Sequence, residues 1–324
     1  MKEPTLNIRT ARIETDLPDI VRIINPYEFQ PLTVDQVRSF FEYNPLGRIQ
    51  LRLVATDERG AVRGYSGFVH EASAAAGSFV VWVVVDPDYR RQGIASALWN
   101  LTLDRLKDDG ATRLVADVFD NDPVGLAYAG RRAFKIERHA FYSSLDLAGF
   151  DETPYLPGIA ALEAGGIRFC SLADFPDTAE TRHQLYDLNV GTELDIPGAN
   201  GLPRSYQDFE NSVIKAPWFR PDGQLLAVDG DTWVGLAAVS LTGETTTAHN
   251  GYTGVARHYR GKGIARALKV MAARYAIRHG ASEIGTDNDS LNEPILAINR
   301  SMGYRANPGK YILVRQLRQR GQQG

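Results

Sequence analysis

The sequence predicts an α/β (α+β) protein built as two tandem copies of one domain, and three observations carry that reading. The chain has 324 residues, about twice the length of a typical single domain, and 44% of them are hydrophobic, as in ordinary folded proteins. It is internally repeated: VVVDPDYRRQGIASAL (Val83 to Leu98) matches TGVARHYRGKGIARAL (Thr253 to Leu268) at a constant offset of 170 residues, with Tyr89 over Tyr259, Arg90 over Arg260 and Gly93 over Gly263. The offset continues through Gly110/Gly280, Asp117/Asp287 and Phe134/Tyr304, which a chance likeness of one short loop does not produce. Finally, each copy alternates segments of strand and helix periodicity.

In the first copy LNIRTAR opens as a strand, and Asp16 to Asn25 and Thr33 to Tyr43 carry apolar residues at helical spacing. IQLRLVATD and VRGYSGFVHE alternate around ERGA as a hairpin. SFVVWVVV is a continuous apolar run between Gly77 and Asp86-Pro87, the pattern of a strand buried on both faces. Ile94 to Lys107 reads as a helix, RLVADVF as a strand, Pro123 to Arg132 as a helix and HAFYSSLDL as the closing strand. The second copy repeats this order with IRFCSL, helices over Thr178 to Asn189 and Tyr206 to Lys215, and the hairpin of GQLLAV with TWVGLAAVSL. TTAHNGYTGV, the helix Ile264 to His279, EIGTDND, a helix after Pro294 and YILVRQL complete it. The domains are therefore placed at 1–149 and 166–324. Residues 150–165, rich in Pro and Gly with a short helix in the middle, are read as the linker, and RQLRQRGQQG as a frayed polar tail.

Composition excludes several function classes. A formal charge of −3 offers no overall basic face for nucleic acid. Cys170 is the only cysteine, so no internal disulfide forms and no usual zinc spacing can be built; a reduced, cytoplasmic setting and no metal are expected. MKEPTLNIRT lacks the apolar core of a signal peptide, and no run of 18 apolar residues occurs, so no membrane partner is expected.

Both copies set Arg-x-x-Gly-x-Ala between a strand and a helix: Arg90, Arg91, Gln92, Gly93, Ile94 and Ala95, then Arg260, Gly261, Lys262, Gly263, Ile264 and Ala265. The first turn of a helix presents free N–H groups and the positive end of its dipole, so anions settle there. Glycine lets a pyrophosphate approach the backbone, alanine keeps side chains out of its way, and the flanking Arg and Lys add charge. The plainer reading, a loop that only turns a strand into a helix, is weakened by its recurrence in one setting. A Walker loop is excluded because neither site ends Gly-Lys-Ser/Thr, and the G-x-G-x-x-G dinucleotide fingerprint is absent.

Val85-x-Pro-x-Tyr-Arg-x-x-Gly-Ile-Ala-x-x-Leu98 resembles the core motif of the GNAT superfamily of N-acetyltransferases, and Asn292-x-Pro-x-x-x-x-Asn299-x-x-x-Gly303-Tyr304 is similar to its later helix motif. The likeness covers nearly the whole chain twice, and is specific only in these motifs. It implies two tandem GNAT-like domains, each a mixed, mostly antiparallel sheet flanked by helices and splayed where acetyl-CoA enters. It further implies that the loop amides hold the pyrophosphate of coenzyme A and that the pantetheine arm pairs with Val83, Val84 and Val85, and with Thr253, Gly254 and Val255. The implied activity is transfer of an acetyl group to a primary amine of a small molecule by direct attack, in a monomer or homodimer. Two alternatives stay open, a non-catalytic acyl-CoA-binding or sensing protein and an aminoacyl transferase of tandem GNAT-like fold.

The same resemblance points to a general base on the strand before the loop, six residues ahead of its last apolar residue, where the second copy has His249 and the first Phe79. A histidine accepts a proton near neutrality and a phenylalanine cannot, which favours the second copy as catalyst. The polar strand ETTTAHNGYTG also fits a wet cleft better than SFVVWVVV. A hydrogen-bonded surface histidine is the alternative. Tyr252 on the same strand is a second candidate for base, acid or substrate contact, or an ordinary strand tyrosine. The family's thiolate-protonating tyrosine is replaced by Asn299, which leaves a hydrogen bond to the cofactor sulfur for Asn299 and the proton for water or Tyr311. In the first copy the matching position is Tyr128 counted from Asn121, or Ala129 counted back from Phe134. Asn121 and Asn292 read as helix N-caps, Asn292 with pantetheine contact as a further role. Asp287, Asn288 and Asp289 close a strand that faces the same cleft, either to hold a cationic amine or as solvated loop residues.

Overall fold

A computed structural model describes residues 7–29, 31–42, 48–70, 74–196, 203–241 and 247–317, so most of the expected tail lies outside the described residues. By contact the chain divides into two compact units, one of residues 1–137 with 310–324 and the other of 138–309.

The first unit begins with β1 (Asn7–Thr10), α1 (Ile13–Ile24), α2 (Val34–Glu42), β2 (Ile49–Thr56), β3 (Val62–His70) and β4 (Ser78–Val85). It continues with α3 (Ile94–Asp108), β5 (Arg113–Phe119) and α4 (Pro123–Gly130). Leu17, Ile20 and Val21 recur at helical spacing and are buried against the sheet, which is why α1 holds. The strands β1 to β4 pair antiparallel in sequence, and β4 pairs parallel with β5 over Ser78, Phe79 and Val80 only. Beyond Val80 the two strands part. SFVVWVVV is not buried on both faces as its composition suggested: Val80, the last residue paired with β5, is 44% exposed, while Phe79 and Val81 on the opposite face are buried.

The second unit repeats this plan after β6 (Lys135–Asp146), α5 (Leu156–Ala164), β7 (Ile167–Ser171) and α6 (Ala179–Glu193). A short α7 (Tyr206–Phe209) runs into a π turn, followed by β8 (Gln224–Asp229), β9 (Thr232–Leu241) and β10 (Thr247–Val255). Then come α8 (Ile264–Arg278), β11 (Glu283–Asp289), α9 (Glu293–Ser301) and β12 (Arg305–Gln316). The strands β7 to β10 pair antiparallel in sequence, and β10 pairs parallel with β11 over three residues before parting after His249 and Gly285. Each sheet is thus mixed, mostly antiparallel, flanked by helices and splayed at the same place. Residues 150–165, expected as a linker, contribute Tyr155, Ile159 and Leu162 to the core of the second unit.

The two copies differ by one inserted residue. The register of β10 on β9 shifts between Asn250 and Tyr252, so Gly251 is a β-bulge, and β4 has none. Read across the hairpins, Asn250 opposes Val239 as Val81 opposes Phe68, which puts Val80, not Phe79, in the place of His249. The constant sequence offset concealed that shift.

A second departure concerns the closing strands. HAFYSSLDL pairs antiparallel with β11, and YILVRQL pairs antiparallel with β5, so each copy's last strand completes the other unit's sheet. Periodicity cannot decide this. Both copies present the same open edge, β5 or β11, and both closing strands satisfy it. No helix among the described residues is long and apolar enough to cross a membrane.

Candidate active site

The two glycine turns have one backbone shape. Arg91 and Gly93 are left-handed with φ of 64° and 81°, and Gly261 and Gly263 with φ of 75° and 92°. In both, the glycine just before the helix, Gly93 or Gly263, is the N-cap of α3 or α8, with no side chain capping it. A Cβ added at Gly93 or Gly263 would meet nothing, so the glycine answers to backbone conformation and open space rather than packing. An uncapped helix start beside such a nest fits a diphosphate. Around it, Arg90 stacks over Tyr27 in the first unit. In the second, Arg257 and Arg260 both bind Asp195, and their guanidinium groups hold its carboxyl far below the usual carboxylate range. Lys262 lies over the Tyr259 ring. Val83, Val84 and Val85, and Thr253, Gly254 and Val255, lie past the parting points, on strand edges left open beside β5 and β11.

His249 is the last residue of β10 paired with β11, so its side chain stands at the mouth of the splay. Nε2 lies 3.0 Å from Asp287 Oδ2 on β11. A carboxylate can only accept, so Nε2 carries the hydrogen, and the neutral imidazole presents its lone pair at Nδ1. The Tyr142 ring, from β6, stacks on the imidazole at 5.9 Å between centroids. Gly285 makes room for it, because a Cβ there would fall inside the Tyr142 phenol. His249 is 33% and Asp287 74% exposed, so the pair faces solvent.

The remaining candidates separate. Tyr252 points to α6, its hydroxyl 2.5 Å from Thr192 Oγ1 and donating to Asn189 O at 3.1 Å; burial pushes its pKa up to about 12, which removes it as a base near neutrality. Asn299 is buried and donates to Asn288 Oδ1 at 2.7 Å, and its own Oδ1 has no hydrogen-bond partner. Asn292 occupies the N-cap of α9 with no side-chain cap bond. Asp289 pairs with Arg138, and Asn288 is buried, so of the three strand-end residues only Asp287 turns to the histidine. Tyr311 is paired with Val118 of β5 and packs against the first unit's apolar cluster.

In the first unit Asp122, not Asn121, caps α4, accepting from Val124 N and Gly125 N. That settles the count in favour of Ala129 as the partner of Asn299. Tyr128 instead donates to Ala95 O at 2.8 Å.

Residues 17–134 and 184–304, well over half of the chain, match the acetyltransferase (GNAT) family. The chain belongs to the GNAT acetyltransferase family. It is 28% identical over 313 residues to the mycothiol acetyltransferase of Clavibacter michiganensis subsp. michiganensis, covering 92% of each chain. A mycothiol acetyltransferase of Catenulispora acidiphila is 24% identical over 247 residues, covering 74% of this chain and 73% of the relative. Among solved structures, a tandem GNAT protein from the clavulanic acid biosynthesis pathway shares the fold with a TM-score of 0.68 at 20% identity, covering 96% of this chain and 98% of that one.

Membership makes the chain an acyltransferase of a family that uses acetyl-CoA, and both turns suit that ligand. Two features of this GNAT site escaped the sequence reading. Tyr142 was invisible because the strand carrying it was assigned to the other copy. Lys269 had a signal, a lysine interrupting the apolar row Ala265, Ala272, Ala276 on α8. Among the described residues, no group of three His, Cys, Asp or Glu could hold a metal ion.

Proposed function

We propose that the second copy transfers an acetyl group from acetyl-CoA to a primary amine of a small molecule by direct attack in a ternary complex. The observation that carries this is the His249–Asp287 pair at the mouth of the splay, where the first copy has Val80. Gly261, Lys262, Gly263, Ile264 and Ala265 would hold the diphosphate, and Thr253 to Val255 the pantetheine arm. Bound acetyl-CoA supplies an activated acetyl thioester. As the amine nitrogen bonds the acetyl carbon and the C–S bond breaks, His249 accepts the acceptor's proton at Nδ1, Asp287 keeps the ring oriented and stabilises the imidazolium, and CoA would leave as the thiolate and take its proton from water. Tyr142 supports the ring from its face. A relay through an acetylated cysteine is disfavoured, since Cys170 lies on β7, three strands from β10, with its thiol pKa raised by burial.

The first copy, with the same loop but an apolar splay, binds acetyl-CoA without turnover in this reading. Two relatives are named mycothiol acetyltransferase, so the free-amine form of mycothiol is the first acceptor to test. Release of CoA over an amine panel is measured for the wild type, His249→Ala and Val80→Ala. Loss of a general base lowers kcat by roughly 10²–10⁴-fold, so His249→Ala is expected to fall in that range and Val80→Ala to stay at the wild-type rate. The reverse pattern would assign chemistry to the first copy.

A further inference from the structure

Behind the splay, the second unit holds a buried polar chain. Lys269 on α8 is 1% exposed, and its Nζ donates to Asn250 Oδ1 at 3.0 Å. The same oxygen accepts from Thr253 Oγ1 at 3.0 Å. Asn250 follows the last backbone pair of β10 and β11, and Thr286 Oγ1 donates to its carbonyl at 2.9 Å, bridging the strands by a side chain where backbone pairing has stopped. Asn288 Nδ2 donates to Thr286 O at 3.1 Å, and Asn299 Nδ2 to Asn288 Oδ1 at 2.7 Å. The chain therefore links α8, both splayed strands and α9. Its last amide leaves a buried oxygen, Asn299 Oδ1, with no hydrogen-bond partner, and the Tyr304 ring, 5.0 Å from Lys269 Nζ, carries a buried hydroxyl that likewise has none.

The first unit fills the same space with hydrocarbon. By register and offset, the counterparts of Lys269, Asn250, Thr286, Asn288 and Asn299 are Trp99, Val81, Ala116, Val118 and Ala129, all in one apolar cluster. The fold thus closes here without an amine or an amide. Burying these groups costs desolvation that their hydrogen bonds only partly return, so stability does not explain them.

We propose that Lys269 is a positioning residue for acyl transfer in the second copy, fixing through Asn250 the two strands at the point where they part. This rests on the acyl-transfer reading above. The bond to Asn250 holds the residue between His249 and the bulged Gly251, so it sets both the base and the strand edge beside it.

The test compares the wild type with Lys269→Met, Asn250→Val and the double variant, measuring kcat, KM for both substrates, acetyl-CoA Kd by calorimetry, and Tm. Lys269→Met is expected to lower kcat at least about tenfold, with Kd within about twofold and Tm unchanged or raised, because an apolar side chain replaces a buried amine and Asn250 keeps Thr253. Both ends act as one unit, so the double variant is expected to be no slower than the slower single. That variant moves towards the apolar residues with which the first unit folds. A kcat within about twofold of the wild type, additive losses, or a kcat loss that travels with lower Tm and weaker acetyl-CoA binding overturns the proposal. Wild-type acetyl-CoA binding without turnover of any amine overturns the acyl-transfer reading as well, which separates the two failures.

Discussion

At Arg91 the chain takes a left-handed turn that Gly261 takes in the second copy, so one loop conformation is reached with and without a Cβ. The left-handed region costs an L-residue about 1–2 kcal/mol relative to glycine. Gly261→Ala should therefore destabilise the protein by about 1 kcal/mol in thermal denaturation, while Arg91→Gly should be neutral or slightly stabilising, its relief reduced by the freedom glycine gains when unfolded. A second residue-scale consequence follows from Asp287, which fixes the hydrogen of His249 on Nε2. An asparagine can present its amide to Nε2, driving the hydrogen to Nδ1 and removing the lone pair that accepts the proton. Asp287→Asn is expected to lower kcat at least about tenfold without changing acetyl-CoA affinity, a split that steady-state kinetics with calorimetry resolves.

Lys269 carries the clearest pH signature of any element, because burial in α8 lowers its pKa from 10.5 to about 7. The folded protein gives up this proton above about pH 7, whereas the unfolded chain keeps it until about 10.5. Between those values the unfolded state binds more protons, so stability rises with pH, and below them the full penalty of a buried cation applies. The Tm advantage of Lys269→Met over the wild type should thus be largest near about pH 6 and shrink towards about pH 9–10. A gap that is constant with pH would mean that the amine is not buried as described. The elements differ in how plainly residues announce them. The glycine turns were legible because Gly93 and Gly263 meet a backbone demand that few residues meet, and the hairpins because alternation brackets a turn. The bulge at Gly251 was not, since an unbroken run such as SFVVWVVV contains no polar mark against which a one-residue shift could be seen. His249 was legible as a residue type in a strand; its partners Asp287 and Tyr142 depend on which strands lie beside it, and for Tyr142 that was read wrongly. Asn299 was legible as a position, but the chain that buries it through Asn288 and Asn250 is a product of packing.

At the scale of the molecule, the repeat in sequence and the unit in space are not the same object. The first unit needs Leu313 of β12 in its core, and the second needs Leu145 of β6, so each copy cut out alone lacks a core residue and leaves the edge of β5 or β11 unpaired. Fragments 1–149 and 166–324 are accordingly expected to aggregate or to melt without cooperativity when produced separately. The second fragment also lacks Tyr142, and Ser143, whose Oγ accepts from Asn288 Nδ2 at 2.9 Å, and should not turn over an amine even if it folds in part. A chain divided between 149 and 150 keeps every strand and the helix α5. Its two pieces, expressed together, should copurify, recover the far-ultraviolet dichroism of the intact protein and regain activity, because closing strands exchanged between the copies hold the pieces together without a peptide bond. Independent cooperative melting of both short fragments, with no association on mixing, would show that each copy keeps its own last strand. The His249 site would then have to be rebuilt without Tyr142.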